Sequence, residues 1–234
     1  MAHPFLGKKN LIITAHPDDE SFLMGGTLYK NAANGGKNIL VCATLGEEGT
    51  AYLSHTMSRE TLTHTRKKEL TRASKFLHIA RLYLLNLPDS CLHRANFNSL
   101  FYKRTIAVAE KHEPDVIMSF GEYGMSGHRD HIAAGKVAKR IANRFDIPLF
   151  TVTSLPSLIK DFKKRIKSVQ RGPFYTKKEP IFEMSTIKIA VNPRMKLRAI
   201  QYHKSQLGGK PPFSALSPRM RQKRLRAEYF ARSK

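Results

Sequence analysis

Short apolar runs, each closed by a polar cluster and followed by apolar residues at helical spacing, recur along the first two-thirds of this chain. Residues 10–15 (NLIITA) form the first run, and 22–34 then reads as a helix. Residues 38–45 (NILVCATL) give a second buried-type strand, ending in Gly46-Glu47-Glu48-Gly49. The stretch 63–77 is strongly helical, with Leu70, Ala73 and Leu77 on one face. Residues 82–87 predict a third strand, ended by Pro88-Asp89, and 97–112 a helix stopped by Pro114. A fourth strand at 115–120 (DVIMSF) runs into a glycine-rich loop at 121–127, then a helix at 131–144 and a strand at 149–153.

Strands separated by helices of this length predict βαβ units and a mostly parallel sheet with helices on both faces. Such sheets place their sites just beyond the carboxyl ends of the strands. After Pro156 the pattern weakens. Residues 182–191 predict an edge strand or hairpin, 193–207 a helix, 208–212 a loop, and the tail a short basic helix.

Composition narrows the class. The chain has 234 residues, enough for one α/β domain with a full core, or one plus a small appendage. No apolar run reaches the eighteen or so residues that span a bilayer, and 11–15 is too short for a signal-peptide core. Cys42 and Cys91 form neither a disulfide framework nor a CxxC pair, which points to a reducing, cytoplasmic setting. Charge is the unusual feature: Lys and Arg total 41 against 18 acidic residues, a formal +23. It is densest at 160–167, 177–178 and 219–226. Such a field attracts polyanions or an anionic surface, and it is equally what a solvated basic face would carry.

Two polar clusters follow strands one and four: His16-Pro17-Asp18-Asp19-Glu20 and Gly127-His128-Arg129-Asp130-His131. In a doubly wound sheet both lie on one edge. Together they supply imidazoles and carboxylates suited to a divalent transition metal, and two imidazoles with one carboxylate leave a position open for water. A carboxylate outside the ligand set, Asp18, could serve as base, and His128 could face a developing oxyanion. The competing reading is that acids here merely favour a helix N-terminus, but three acids and a second His-x-x-His cluster exceed what capping needs.

These residues carry a resemblance. AHPDDE (15–20) resembles the signature of the LmbE-like, PIG-L-type N-acetylglucosaminyl deacetylases, and GHRDH (127–131) resembles its GHPDH. LGEEGT (45–50), RKKE (66–69), LPD (87–89), PDV (114–116), HKSQ (203–206) and EYF (228–230) are similar to further family segments. The resemblance implies a single domain over 1–234 with a Rossmann-like core at 1–155 and a basic C-terminal part at 156–234. It implies Zn²⁺, or another divalent transition metal, on His16, Asp19 and His131. Asp18 would be the general base, His128 would sit near the oxyanion, and Asp130 would orient a histidine. Arg66 and Glu47 would lie near the substrate, unless Arg66 only pairs with Glu69 along its helix.

The implied reaction is hydrolysis of an N-acetylglucosamine acetamide. The substrate would be a small amino sugar, and the +23 charge suggests one attached to an anionic, lipid or nucleotide group. Contact with an anionic surface and self-association are both compatible with the sequence. Two further readings remain open: a zinc amidase for a different amide conjugate, and a basic protein that binds nucleic acid or a membrane surface. Arg129 departs from the family's proline, and Ser126, with Tyr123 three residues earlier, stands where some members have a tyrosine. His55, His64, His93 and His112 are expected to be surface or structural residues, and loops 48–61 and 155–179 to roof the pocket.

Overall fold

The computed structural model of the protein describes residues 3–49, 57–154, 187–214 and 216–233. Strand β1 (Lys9–Thr14) is buried after its first residue, and its Leu11, Ile12 and Ile13 contact core on both faces. A strand apolar on both faces belongs at the centre of a parallel sheet, and β1 pairs in parallel with β2 (Lys37–Thr44) on one side and β4 (Val116–Phe120) on the other. β3 (Ile79–Leu87) lies outside β2, and β5 (Leu149–Thr153) beside β4, both parallel.

Helix α1 (Asp19–Ala33) carries the chain from β1 to β2, α2 (Arg59–Phe76) leads to β3, and α3 (Ala95–His112) to β4. A helical turn, α4 (Gly124–Gly127), precedes α5 (Arg129–Phe145), which leads to β5. The order β3-β2-β1-β4-β5 reverses direction between β1 and β4. At such a switch point the connections leave to opposite sides and open a crevice at the strand ends, where α/β sheets bind ligands. Both polar clusters lie there.

Beyond β5 the sheet changes character. β6 (Ile187–Ala190) forms the outer edge, as the sequence predicts for 182–191, although 182–186 lies outside the described residues. Helix α6 (Pro193–Gln201) stops six residues before the predicted end. The chain leaves the helix at Tyr202, and a 3-10 turn at Lys204–Gln206 follows, an arrangement that sends the His203 side chain inward. The basic tail helix is present as α7 (Pro218–Arg226), but it is followed by a strand that the sequence reading missed. This strand, β7 (Ala227–Arg232), inserts antiparallel between β5 and β6.

Burial explains β7. Phe230 is fully buried and meets the Phe5 ring edge-on at 5.0 Å, with Phe150 on the same ring at 5.2 Å. Glu228, also buried, accepts hydrogen bonds from the backbone N–H groups of Gly26 (3.0 Å) and Thr27 (2.7 Å) in α1, and pairs with buried Lys196 of α6 at 2.8 Å. A buried charge demands such partners, because removing one would leave the other uncompensated at a cost of about 3–5 kcal/mol. The segment after residue 156 therefore clamps the helix that carries Asp19. The dense basic runs at 160–167 and 177–178, most of the expected pocket roof and His55 lie outside the described residues.

Candidate metal centre

Three side chains from two strand ends converge with one free ligand atom each. Asp19, the first residue of α1, folds back so that Oδ2 accepts from the backbone N–H groups of His16 (2.8 Å) and Ala15 (3.1 Å). Its other oxygen, Oδ1, faces His131 Nε2 at 3.4 Å. His131 is fixed from behind, with Nδ1 3.2 Å from the Gly124 carbonyl and its ring stacked on Phe120 at 4.1 Å and 12°. A Cβ on Gly124, whose φ is +60°, would strike the His131 side chain and the Ile132 amide, so only glycine fits there. His16 Nε2 meets Asp89 Oδ1 at 3.0 Å and Asp130 Oδ2 at 3.5 Å, leaving Nδ1 turned toward His131 Nε2 at 3.2 Å and toward the Asp19 carboxylate at 3.8 Å.

These separations test whether a metal fits. Zinc–nitrogen and zinc–oxygen bonds of about 2.0–2.1 Å in a tetrahedron put neighbouring ligand atoms about 3.3 Å apart. The 3.2 Å and 3.4 Å spacings at His131 match that face closely. Metal-bound histidines also give their second ring N–H to a carboxylate or carbonyl, as His16 does to Asp89 and His131 to Gly124.

The electrostatics agree. Burial alone would push the His16 ring toward neutrality, but Asp89, Asp130 and Asp19 outweigh it and hold the ring well above the ordinary histidine range. Asp19 and Asp89 are held well below the carboxylate range despite burial, chiefly by His131 and His16 respectively. A pocket that binds protons this tightly with converging acids is one that a divalent cation would neutralise.

His128 lies close by, and the ring nitrogens of His16, His128 and His131 fall within 4.8 Å of one another. Its hydrogen bonding gives it a different part. His128 is the N-cap of α5, and its Nδ1 accepts the Asp130 N–H at 3.2 Å. That places the remaining ring proton on Nε2, which is then a donor and has no lone pair for a metal. Burial, helped by His16 and His131, pushes its pKa down to about 2, so the ring is a neutral N–H donor. Exposed Arg129 is the first helical residue after that cap, a place where proline is favoured because the amide there has no partner in the helix.

Asp18 sits beside the cluster with a fifth of its side chain exposed. Burial of its carboxyl, moderated by Arg66 and reinforced by Asp19, raises its pKa to about 6. Its φ of 120° is unfavourable for any non-glycine residue, a strain of about 1–3 kcal/mol. The distortion is held from two sides. Glu20 Oε2 accepts the Asp18 N–H at 3.1 Å, and Arg66 donates to the Pro17 carbonyl at 2.6 Å and to Asp18 Oδ2 at 3.3 Å. Glu20 is itself braced by His203 Nε2 at 2.8 Å and Ser21 Oγ at 2.5 Å.

Arg66 therefore does not pair with Glu69 along the helix. It enters the crevice and also donates to the Gly46 carbonyl at 2.7 Å, passing where a Cβ on Gly46 or Gly49 would collide with it. Glu69 instead accepts from Ser205 N (2.9 Å) and Oγ (2.6 Å), which ties α2 to the 3-10 turn. Glu47 reaches the backbone N–H of Asp89 at 2.8 Å.

One residue, Asp89, carries more of the site than the sequence suggests. Asp89 lies nearer to His16 than does Asp130, whose Oδ1 is occupied by the Leu92 N–H at 3.0 Å. The hints were its position right after the third strand and the LPD segment at 87–89. Exposed His93, expected to be a surface or structural residue, has Nδ1 3.9 Å from Asp130 Oδ1. Substituting Asp89→Ala is expected to weaken metal affinity about 10- to 100-fold in a chelator competition, because the Nε2 support of His16 is lost. Unchanged affinity would show that Asp89 does not support the ligand.

The profile of the PIG-L family, described as GlcNAc-PI de-N-acetylase, matches residues 11–142, which hold both polar clusters. This chain belongs to the PIG-L family. Among curated relatives, the probable N-acetyl-alpha-D-glucosaminyl L-malate deacetylase 2 of Bacillus cereus is 31% identical over 135 residues, covering 57% of this chain and 60% of that protein. The 1D-myo-inositol 2-acetamido-2-deoxy-alpha-D-glucopyranoside deacetylase of Nocardiopsis dassonvillei is 37% identical over 150 residues, covering 56% of this chain and 53% of its own. The chain thus spans little more than half the length of these two relatives, whereas the same-named protein of Thermomonospora curvata aligns over 95% of this chain and 89% of itself at 27% identity.

Solved structures share the fold of this PIG-L member. The N,N'-diacetylchitobiose deacetylase of Pyrococcus horikoshii superposes with a TM-score of 0.67 at 22% identity, covering 98% of this chain and 85% of that one. The 4-carboxy-2-hydroxymuconate hydratase GalB of Pseudomonas putida KT2440 reaches 0.66 at 15% identity, covering 97% and 96%. A hydratase on the same scaffold means that the fold alone does not select the reaction. No helix among the described residues is long and apolar enough to cross a membrane.

Proposed function

We propose that this PIG-L family member is a zinc-dependent N-deacetylase that hydrolyses the acetamide of an N-acetylglucosamine-containing substrate. The observation that carries the reading is the convergence of His16 Nδ1, Asp19 Oδ1 and His131 Nε2, each with its companion atom already engaged elsewhere. These three residues would hold the metal, which when bound supplies a Lewis acid and lowers the pKa of water at the site.

The chain's own groups account for the proton traffic. Asp18, with its carboxyl poised near 6 and its position fixed by Arg66, takes the proton of the attacking water and returns one to the departing amine. His128 Nε2–H donates to the acetamide oxygen as negative charge grows on it. Asp89 and Asp130 hold the His16 ring in register, and Glu47 secures Asp89 through its backbone. The names of the two bacterial relatives, an N-acetylglucosaminyl malate deacetylase and an acetamido-glucopyranoside deacetylase, support a small amino-sugar substrate.

The test is acetate release from a panel of N-acetylglucosamine derivatives, neutral and anionic, before and after chelation. The expected result is release from at least one derivative, abolished by chelator and restored by zinc. Acetate release that survives complete metal removal, or none from any derivative, would overturn the reading.

A further inference from the structure

Outside the crevice, α2 and α6 diverge around a cleft of about 460 Å³. Its walls carry Lys68 and Arg72 from α2, Arg198 from α6 and Lys204 from the 3-10 turn, with Tyr202 between them. None of the residues converging on the metal position lines it. All four cations are exposed, and among the described residues none forms an ion pair with a carboxylate. The one acid in the lining, Glu69, already accepts two hydrogen bonds from Ser205. Arg198 is steadied over the Phe76 ring at 5.3 Å, and Phe76 in turn packs on Tyr202.

The charge count decides what such a cleft can take. Four cations lining one cleft, with no carboxylate partner among the described residues, repel one another, and a monovalent carboxylate would offset only a fraction of that. A phosphate carries close to two negative charges and three acceptor oxygens, the chemistry that arginine forks and lysine ammonium groups recognise. The volume leaves room for more than the phosphate itself. We infer that this cleft is a phosphate-binding site separate from the metal centre, fitted to a phosphorylated ligand. The sources sharing that chemistry are a soluble phosphate ester and a lipid headgroup.

The test compares the full-length wild type with Arg72→Gln/Arg198→Gln. A control, Arg219→Gln/Lys223→Gln on α7, removes the same net charge from another exposed face. One arm titrates inorganic pyrophosphate calorimetrically at fixed ionic strength, and the other sediments the proteins with vesicles of phosphatidylcholine with or without phosphatidic acid. A single Lys68→Glu variant covers the case in which the double variant misfolds, as read by its thermal melt.

Weakening of at least about tenfold in the cleft variants, against less than about threefold in the control, is expected in the arm whose source is the right one. Equal weakening in cleft and control variants would assign the binding to the overall +23 charge and overturn the inference. So would binding that survives in the cleft variants, as binding at the metal would, and so would no binding in either arm.

Discussion

Asp18→Asn is expected to lower turnover by about 10²- to 10⁴-fold while the protein keeps its metal. The amide is nearly isosteric and can still accept from Arg66 at the position now 3.3 Å away, so the strained turn at φ 120° has no new reason to relax. What disappears is the basic oxygen. Because Asp18 is not one of the three proposed ligands and its carboxylate is held by Arg66 instead, metal content should stay at the wild-type level. The paired measurement, acetate release beside elemental analysis of the same sample, separates a lost base from a lost site. Turnover equal to wild type would remove Asp18 from the chemistry. Loss of metal would instead recast it as part of the ligand shell.

The second large effect is at His131. His131→Ala should reduce metal occupancy from about one per chain to under about a tenth and take activity to background, because the proposed site would lose one of its three protein ligands. The substitution leaves Asp19 anchored through Oδ2 to the His16 and Ala15 amides and leaves His16 on Asp89, so the rest of the pocket stays formed. Equilibrium dialysis against zinc reads the outcome directly. Full occupancy in this variant would exclude His131 from the ligands and point to His128, whose Nδ1 would then have to surrender the Asp130 N–H.

Local pattern was enough to place most of the parallel core and the two clusters at its switch point. β1, β2 and β4 are short, nearly all-apolar runs ended by turn residues, and a strand buried on both faces has little freedom to look like anything else. His16, Asp19 and His131 stood out because each lies in the loop after such a strand or in the first turn of the helix that follows it. What stayed hidden depends on pairs distant in sequence. The Asp89 contact with His16 joins strands three and one, and Glu20 with His203 spans 183 positions. β7 was hidden for another reason. Ala227–Arg232 holds two charged residues in six, an unpromising strand on its own, and only the buried partners of Glu228 make it viable. Arg66 was ambiguous because an i, i+3 acid lies beside it, and nothing local shows that Gly46 and Gly49 open a passage for the guanidinium.

The bond from Glu228 to Gly26 has a meaning for how the chain is made as well as for how it is held. The two residues are 202 positions apart, so at about 5–20 residues per second the ribosome delivers the clamp roughly 10–40 s after the helix it clamps. For the last part of that interval, roughly 4–15 s at the same rate, β5 has been made but has no β7 beside it, and it presents an open strand edge, the kind of surface that pairs with other nascent chains. Assembly of the crevice is thus ordered in time: the helix that carries Asp19 can form early, but it is locked against the sheet only when the late-emerging strand slides between β5 and β6.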